Sequence, residues 1–233
     1  MRTLNPAVAR VLKRLHNLLD IILTCVRWYV AYGLSMRYLE EMMAERGIDV
    51  GHSTVHRWAL KLLPVLEKTF RRDKRPVRTN CRRDETYIKF KGQWKYLYRA
   101  VDKASNTVDF QLRACRDKAA ARRHLERSIA RNGEPETVTI DKSDANLAGL
   151  EAINGERDTP IKIRQTKRLN SIVERDNRAV KRNALPMPGS RNFHCAHIQL
   201  SGIEFMRMIA KGQINDGDIQ MSAAEQLYYS LAA

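Results

Sequence analysis

Three of the 26 acidic residues in the 233-residue chain stand in distinctive local settings. Asp84 opens the run DETYIKF, Asp141 closes the run TVTID, and Glu174 lies in LNSIVERDNRAVKR, where basic side chains crowd around it. The first two runs read as strands and the third as a helix, and strand ends in an open α/β sheet are where sites form. Spacing alone does not select these three, because a single Asp or Glu is most often a solvated surface residue. The second chemical signature is charge. Lys and Arg number 42 against the 26 acids, a formal net +16. Neutralising phosphates with such side chains releases condensed counterions, so a polyanion is the expected partner, nucleic acid first. A basic surface of a purely structural kind is the alternative. Residues 1–83 hold 17 Lys and Arg against 7 acids, net +10, and residues 84–233 hold 25 against 19, net +6, so the charge is concentrated towards the N-terminus.

Other chemistries find little footing. No run matches a nucleotide-binding glycine loop of either common kind, which argues against ATP and NAD. His52 and His56 share a helical face but lack the cysteines, or the Glu beside the first His, that a zinc site uses. His194, Cys195 and His197 offer three ligands within four positions and no fourth, and read as packing and surface residues. The four cysteines, Cys25, Cys81, Cys115 and Cys195, form no paired motif, so free thiols in a reduced, cytoplasmic setting are expected. The most apolar stretch, Ile21 to Val30, is interrupted by Arg27 and falls short of a membrane span. Trp28, Trp58 and Trp94 are expected in cores, and Met206 and Met208 as helix filling.

Elements must position these groups. Residues 18–32 read as a buried helix broken by Gly33, and Ser35 offers an N-cap to a second helix running to Arg46, which Gly47 ends. Ser53 starts a third, with Val55, Trp58, Ala59, Leu62 and Leu63 at helical spacing. Two helices joined by a short glycine-containing turn form a helix-turn-helix, whose second helix presents its first residues to base edges. Here those are His52, Ser53, Thr54, His56 and Arg57; a plain helical bundle is the competing reading. The segment 71–83, RRDKRPVRTNCRR, fits no amphipathic period and reads as a basic linker. Beyond it, DETYIKFKG, WKYLYRAVD and TVDFQLRAC alternate like strands joined by short turns. A helix from Asp117 to Asn132, the strand TVTID, a further helix, the strand IKIRQ and a helix from Ser171 to Arg182 follow. That order predicts an α/β fold: a mixed sheet with helices on its faces, preceded by the helical region.

Several strings closely resemble the DDE transposases of the bacterial insertion-sequence-six family. VRWYVAYGLSMRYLEEMMAERGIDVGHSTVHRW resembles the family's helix-turn-helix, RRDETYIKFKGQWKYLYRAVDKASNTVDFQL its first catalytic block, and GIEFMRMIAKGQ its closing segment. The likeness spans about Ile21 to Gln213; the first 19 residues and Asn146-Leu147, where Ala-Tyr is usual, depart from it.

The resemblance implies a helix-turn-helix DNA-binding region over 1–70, the linker over 71–83, an RNase H-like catalytic domain over 84–213 and a tail over 214–233. It implies that Asp84, Asp141 and Glu174 are the catalytic triad and the metal ligands. Three hard-oxygen groups on different elements can hold two Mg²⁺ ions, with Mn²⁺ as a substitute. Two ions about 3.5–4 Å apart serve in-line displacement at phosphorus, activating the attacking oxygen and stabilising the leaving one. Asp144 and Asp176, close in sequence, are rival ligands. Lys181, two helical turns beyond Glu174, matches a basic residue placed against DNA phosphate, with Arg178, Arg175 and Arg182 as weaker candidates. The implied activity is binding of terminal inverted repeats, 3′-end cleavage and strand transfer into target DNA, in replicative, cointegrate-forming transposition. A homodimer or larger assembly must bring two ends together. Two alternatives are a catalytically inactive, transposase-derived DNA-binding repressor and an RNase H-like nuclease or resolvase.

Overall fold

The protein is described from a computed structural model, which covers residues 6–13, 18–74, 80–90, 93–114, 118–141, 144–166, 171–184 and 192–213. In chain order the elements are α1 (Pro6–Leu12), α2 (Leu19–Tyr32), α3 (Met36–Ala44), α4 (His52–Asp73), β1 (Asn80–Phe90), β2 (Gln93–Asp102), β3 (Thr107–Arg113), α5 (Lys118–Asn132), β4 (Thr137–Ile140), α6 (Asp144–Asn154), β5 (Lys162–Gln165), α7 (Ser171–Ala184) and α8 (Phe193–Ala210). They form two compact units, Met1–Arg75 with Arg182–Ala233, and Pro76–Lys181.

In the first unit, α2 buries Ile22, Cys25, Val26, Tyr29 and Val30, one stripe at helical spacing, and stops at Gly33, whose φ of 63° suits glycine. Ser35 caps α3 by accepting a hydrogen bond from the Tyr38 backbone N–H at 3.2 Å. After α3, Gly47 adopts φ 70°, and the N–H groups of Gly47 and Ile48 bond back to the Ala44 and Met43 carbonyls, a Schellman ending. The helix α4 then buries Val55, Trp58, Ala59, Leu62, Leu63 and Leu66 along one stripe. It starts at His52, one residue before the Ser53 expected from sequence, and its 22 residues accommodate Pro64 on the exposed side. The Glu67–Arg71 pair, at 2.7 Å and one turn apart, supports its last turns. Regular structure therefore occupies both ends of the 71–83 segment, since α4 runs to Asp73 and β1 begins at Asn80. The helix α8 is buried along nearly its whole length and belongs with α2 and α4. A side-chain carbon on Gly202 would lie 2.9 Å from the methyls of Leu63 and Val30, so this position has room only for hydrogen. Met206 and Met208 are buried in the same helix, as expected.

In the second unit, five strands lie in the order β3-β2-β1-β4-β5. The pairs β1/β2 and β2/β3 are antiparallel, and β1/β4 and β4/β5 are parallel. A three-strand meander extended by two parallel strands is the mixed sheet of an RNase H-like fold. The β2–β3 turn is held by Asp102, whose Oδ1 accepts from the Ala104 and Asn106 N–H groups at 2.8 Å each. On one face of the sheet, Cys81, Ala100, Val138 and Ile140 pack with Leu125 of α5 and Leu150 of α6. Trp94 departs from expectation: it is 57% exposed, because it is the second residue of β2, where the strand is still open to solvent. It packs edge-on against Tyr87, with the Lys89 ammonium over its ring at 5.6 Å. Among the described residues no helix is long and apolar enough to cross a membrane, and Cys25, Cys81 and Cys195 form no disulfide, while Cys115 lies outside the described residues.

Candidate active site

Strand register brings the first two carboxylates together. In the parallel β1/β4 pair, Cys81 stands beside Val138 and Arg82 beside Thr139. Two residues further on, Asp84 comes level with Asp141, the residue after the last one of β4. Side chains at matched positions of neighbouring strands emerge on the same face, with the strands about 4.8 Å apart. Glu174 arrives from the first turn of α7. That helix buries Val173, Asp176, Asn177 and Val180 and exposes Glu174, Arg175 and Arg178, with Lys181 half-buried. Its buried stripe is tied to the sheet: Asn177 Nδ2 donates to Asp84 Oδ2 at 2.6 Å, and Arg99 of β2 donates to Asn177 Oδ1 at 2.9 Å and to Asp176 Oδ2 at 2.6 Å.

The charges of the other two acids reach Asp84. Burial pushes the Asp84 carboxyl up to about 6, and the negative charges of Asp141 and Glu174 push the same way. Hydrogen bonds from the Glu85 backbone N–H and the Asn177 amide oppose the rise without cancelling it. Asp141 Oδ1 is buried with no hydrogen-bond partner among the described residues. Among those residues no three His, Cys, Asp or Glu side chains are already gathered into a metal cluster. Like charges repel, and the cation at hand is engaged elsewhere: Arg99 stands directly across the strand pair from Asp84 but sends its guanidinium to α7. An orphaned carboxylate oxygen beside a carboxyl that resists ionisation is a place where positive charge is wanted. Carboxylate oxygens of this kind suit a hard divalent cation, so the residues present fit such an ion.

The rival ligands have other settings. Asp176 is spent on Arg99, which is fully buried, and Asp144 is exposed at the start of α6. In α8, His194 is exposed, His197 half-buried and Cys195 buried.

At the start of α4, Ser53 and Arg57 are exposed, and Thr54 and His56 are half-buried. Arg57 donates to Thr54 Oγ1 at 3.1 Å, which presents hydroxyl and guanidinium together. His52 is held by Glu40 of α3, whose Oε2 meets the His52 backbone N–H at 3.2 Å and its Nδ1 at 2.8 Å. These bonds hold the Glu40 carboxyl below its ordinary range and fix the entry to α4. Sequence reading missed this clasp, and it missed Arg99 and Asn177. The available signals were an arginine among Leu97, Tyr98, Ala100 and Val101 of a strand and an amide three residues after Glu174.

A family model describing a DDE domain matches residues 78–213. Among individual proteins, the transposase for insertion sequence-like element IS431mec of Staphylococcus aureus is 37% identical over 163 residues, 70% of this chain and 73% of that protein. The transposase for insertion sequence element IS257 in transposon Tn4003, also from Staphylococcus aureus, is 36% identical over the same shares. Among solved structures, the HTLV-2 integrase catalytic core domain in complex with magnesium, in its trimeric form, aligns with 17% identity and a TM-score of 0.46, covering 66% of this chain and 97% of that one. The catalytic core domain of BIV integrase aligns with 12% identity and a TM-score of 0.42, covering 65% and 93%.

Proposed function

The chain belongs to the DDE transposases of the insertion-sequence-six family, and from that premise we propose that it binds the terminal inverted repeats of its element, cleaves their 3′ ends and joins them to target DNA. The observation that supports this reading is the parallel β1/β4 register that carries Asp84 level with Asp141, with the charges of Asp141 and Glu174 both acting on the Asp84 carboxyl.

In this reading the three carboxylates hold two divalent cations, Mg²⁺ with Mn²⁺ as a substitute. Those ions, when bound, supply activation of the attacking oxygen and charge stabilisation at phosphorus. The rest is done by the chain's own groups. Asp84 and Asp141 provide a fixed base on adjacent strands, while Glu174 closes the site from an exposed helical face. Along that same face, Arg178 and Lys181 hold the phosphates flanking the cut. Ser53, Thr54, His56 and Arg57, at the start of α4, contact the inverted repeat, and the net +10 of residues 1–83 draws the duplex in. Two ends have to be held at once, so the working form is a homodimer or a larger assembly on cytoplasmic DNA, and the outcome is replicative and cointegrate-forming.

A plasmid-fusion assay in bacterial cells tests the proposal. A marked element and the wild-type chain should yield cointegrates, whereas Asp141→Asn should abolish them while still shifting inverted-repeat DNA in a gel. Retention of cointegrates by Asp141→Asn would overturn the catalytic assignment. End binding by the wild type with no cointegrate from a verified element would indicate a DNA-binding repressor instead.

A further inference from the structure

The contacts behind Asp84 form a directed chain. Arg99 is fully buried, Asn177 is 3% exposed and Asp176 is 7% exposed, so water has little part in it. A guanidinium only donates, so the Asn177 atom facing Arg99 has to be the amide oxygen. The Asn177 NH₂ group is thereby turned to Asp84, where it binds Oδ2 at 2.6 Å. That bond, together with the one from the Glu85 backbone N–H, sets the orientation of the carboxylate. Asp176 has a separate effect. Arg99 lies opposite Asp84 in the β1/β2 register, and a guanidinium swung onto Asp84 would occupy the carboxylate with a permanent cation. The 2.6 Å pair with Asp176 holds it on α7 instead.

We propose that Arg99 and Asn177 are positioning residues for Asp84: Arg99 orients the Asn177 amide, and Asn177 presents the Asp84 carboxylate for metal binding. This rests on the reading of Asp84 as a metal ligand. Both act through Asp84 and are not themselves assigned as ligands. Partners that orient a ligating carboxylate typically change metal affinity about 10–100-fold when lost.

The test is binding of Mn²⁺ alone to the full-length protein, followed by the electron paramagnetic resonance of the free ion, with thermal melting in chelator as a check on folding. Asn177→Leu removes the donor and Asn177→Ala removes the whole amide, and the smaller side chain leaves room for water beside Arg99 if the Leu variant does not fold. A folded variant of either kind should bind Mn²⁺ about ten-fold more weakly or worse. Strand transfer should then need correspondingly more Mg²⁺ for half-maximal rate, with most of the rate regained at saturating Mg²⁺. Arg99→Lys keeps a cation for Asp176 but loses the fork, and should weaken Mn²⁺ binding too. Combined with Asn177→Leu it should add nothing further, because both act through one amide. Unchanged Mn²⁺ affinity in a folded Asn177 variant, or additive losses in the double variant, would overturn the proposal. Asp84→Asn is the control: if it still binds Mn²⁺ as the wild type does, the metal-ligand reading itself fails, and the positioning role falls with it.

Discussion

Replacing Asp84 by Asn should stabilise the metal-free protein at about pH 7.5 while destroying its activity. Asp84 titrates near 6 in the fold against 3.8 in the unfolded chain, chiefly because burial disfavours the charge. The folded pKa is raised, so the stability this group contributes is fully present below about pH 4, where the carboxyl is protonated in both states, and is lost as pH rises through about 6. A shift of about two units at about 1.4 kcal/mol each gives a cost on the order of 3 kcal/mol for keeping the ionised carboxylate in place. Asn resembles the protonated form, and its amide oxygen still accepts the hydrogen bond from Asn177. Urea unfolding in chelator, followed by circular dichroism, should therefore show a gain of up to about 3 kcal/mol at about pH 7.5, shrinking through pH 5 and gone near pH 4. Added Mg²⁺ should stabilise the wild type and leave the Asn variant unmoved, because only a ligand that binds the native site shifts the equilibrium. A variant no more stable than wild type at neutral pH, or equally stabilised at pH 4, would refute the reasoning.

Three further outcomes are expected. Gly202→Ala forces a methyl group against Leu63 and Val30 in a packed helix crossing, and should lower stability by about 1–3 kcal/mol in the same urea assay. Ser35→Ala removes the cap on α3 and should lose about 1 kcal/mol, read as a drop in melting temperature. Lys181→Ala and Arg178→Ala should each weaken binding to DNA of any sequence and reduce the slope of log affinity against log salt by about 1, whereas Arg57→Ala should weaken cognate ends more than random duplex if it reads bases.

Much of this architecture was legible because its signals are local. The alternation in DETYIKF and WKYLYRAVD gave β1 and β2, and Gly47 followed by Ser53 gave the turn before α4, with its start misplaced by one residue since Gly51 and His52 carry no conventional cap. Helix ends were harder: α4 runs through Pro64 to Asp73 because its buried stripe outweighs one lost backbone bond on the exposed side. Trp94 departs from its expected burial because residue type predicts burial only where the strand is covered, and the start of β2 is not. At the site, Asp84, Asp141 and Glu174 emerged from their surrounding strings, but nothing in one sequence shows that β1 and β4 run side by side in the register that aligns two of them. Arg99 and Asn177, 78 positions apart, pair only through that tertiary arrangement. The same holds for Glu40 and His52, whose contact depends on how two helices meet.

The most direct measurement of the central claim is strand transfer by the purified protein, with labelled element ends and supercoiled target, in Mg²⁺ or chelator, beside Glu174→Gln. If Asp84, Asp141 and Glu174 form one metal-dependent centre, joined product appears with Mg²⁺, disappears with chelator, and is absent from Glu174→Gln, which still binds the ends. Joined product made in chelator, or made by Glu174→Gln at the wild-type rate, would contradict it.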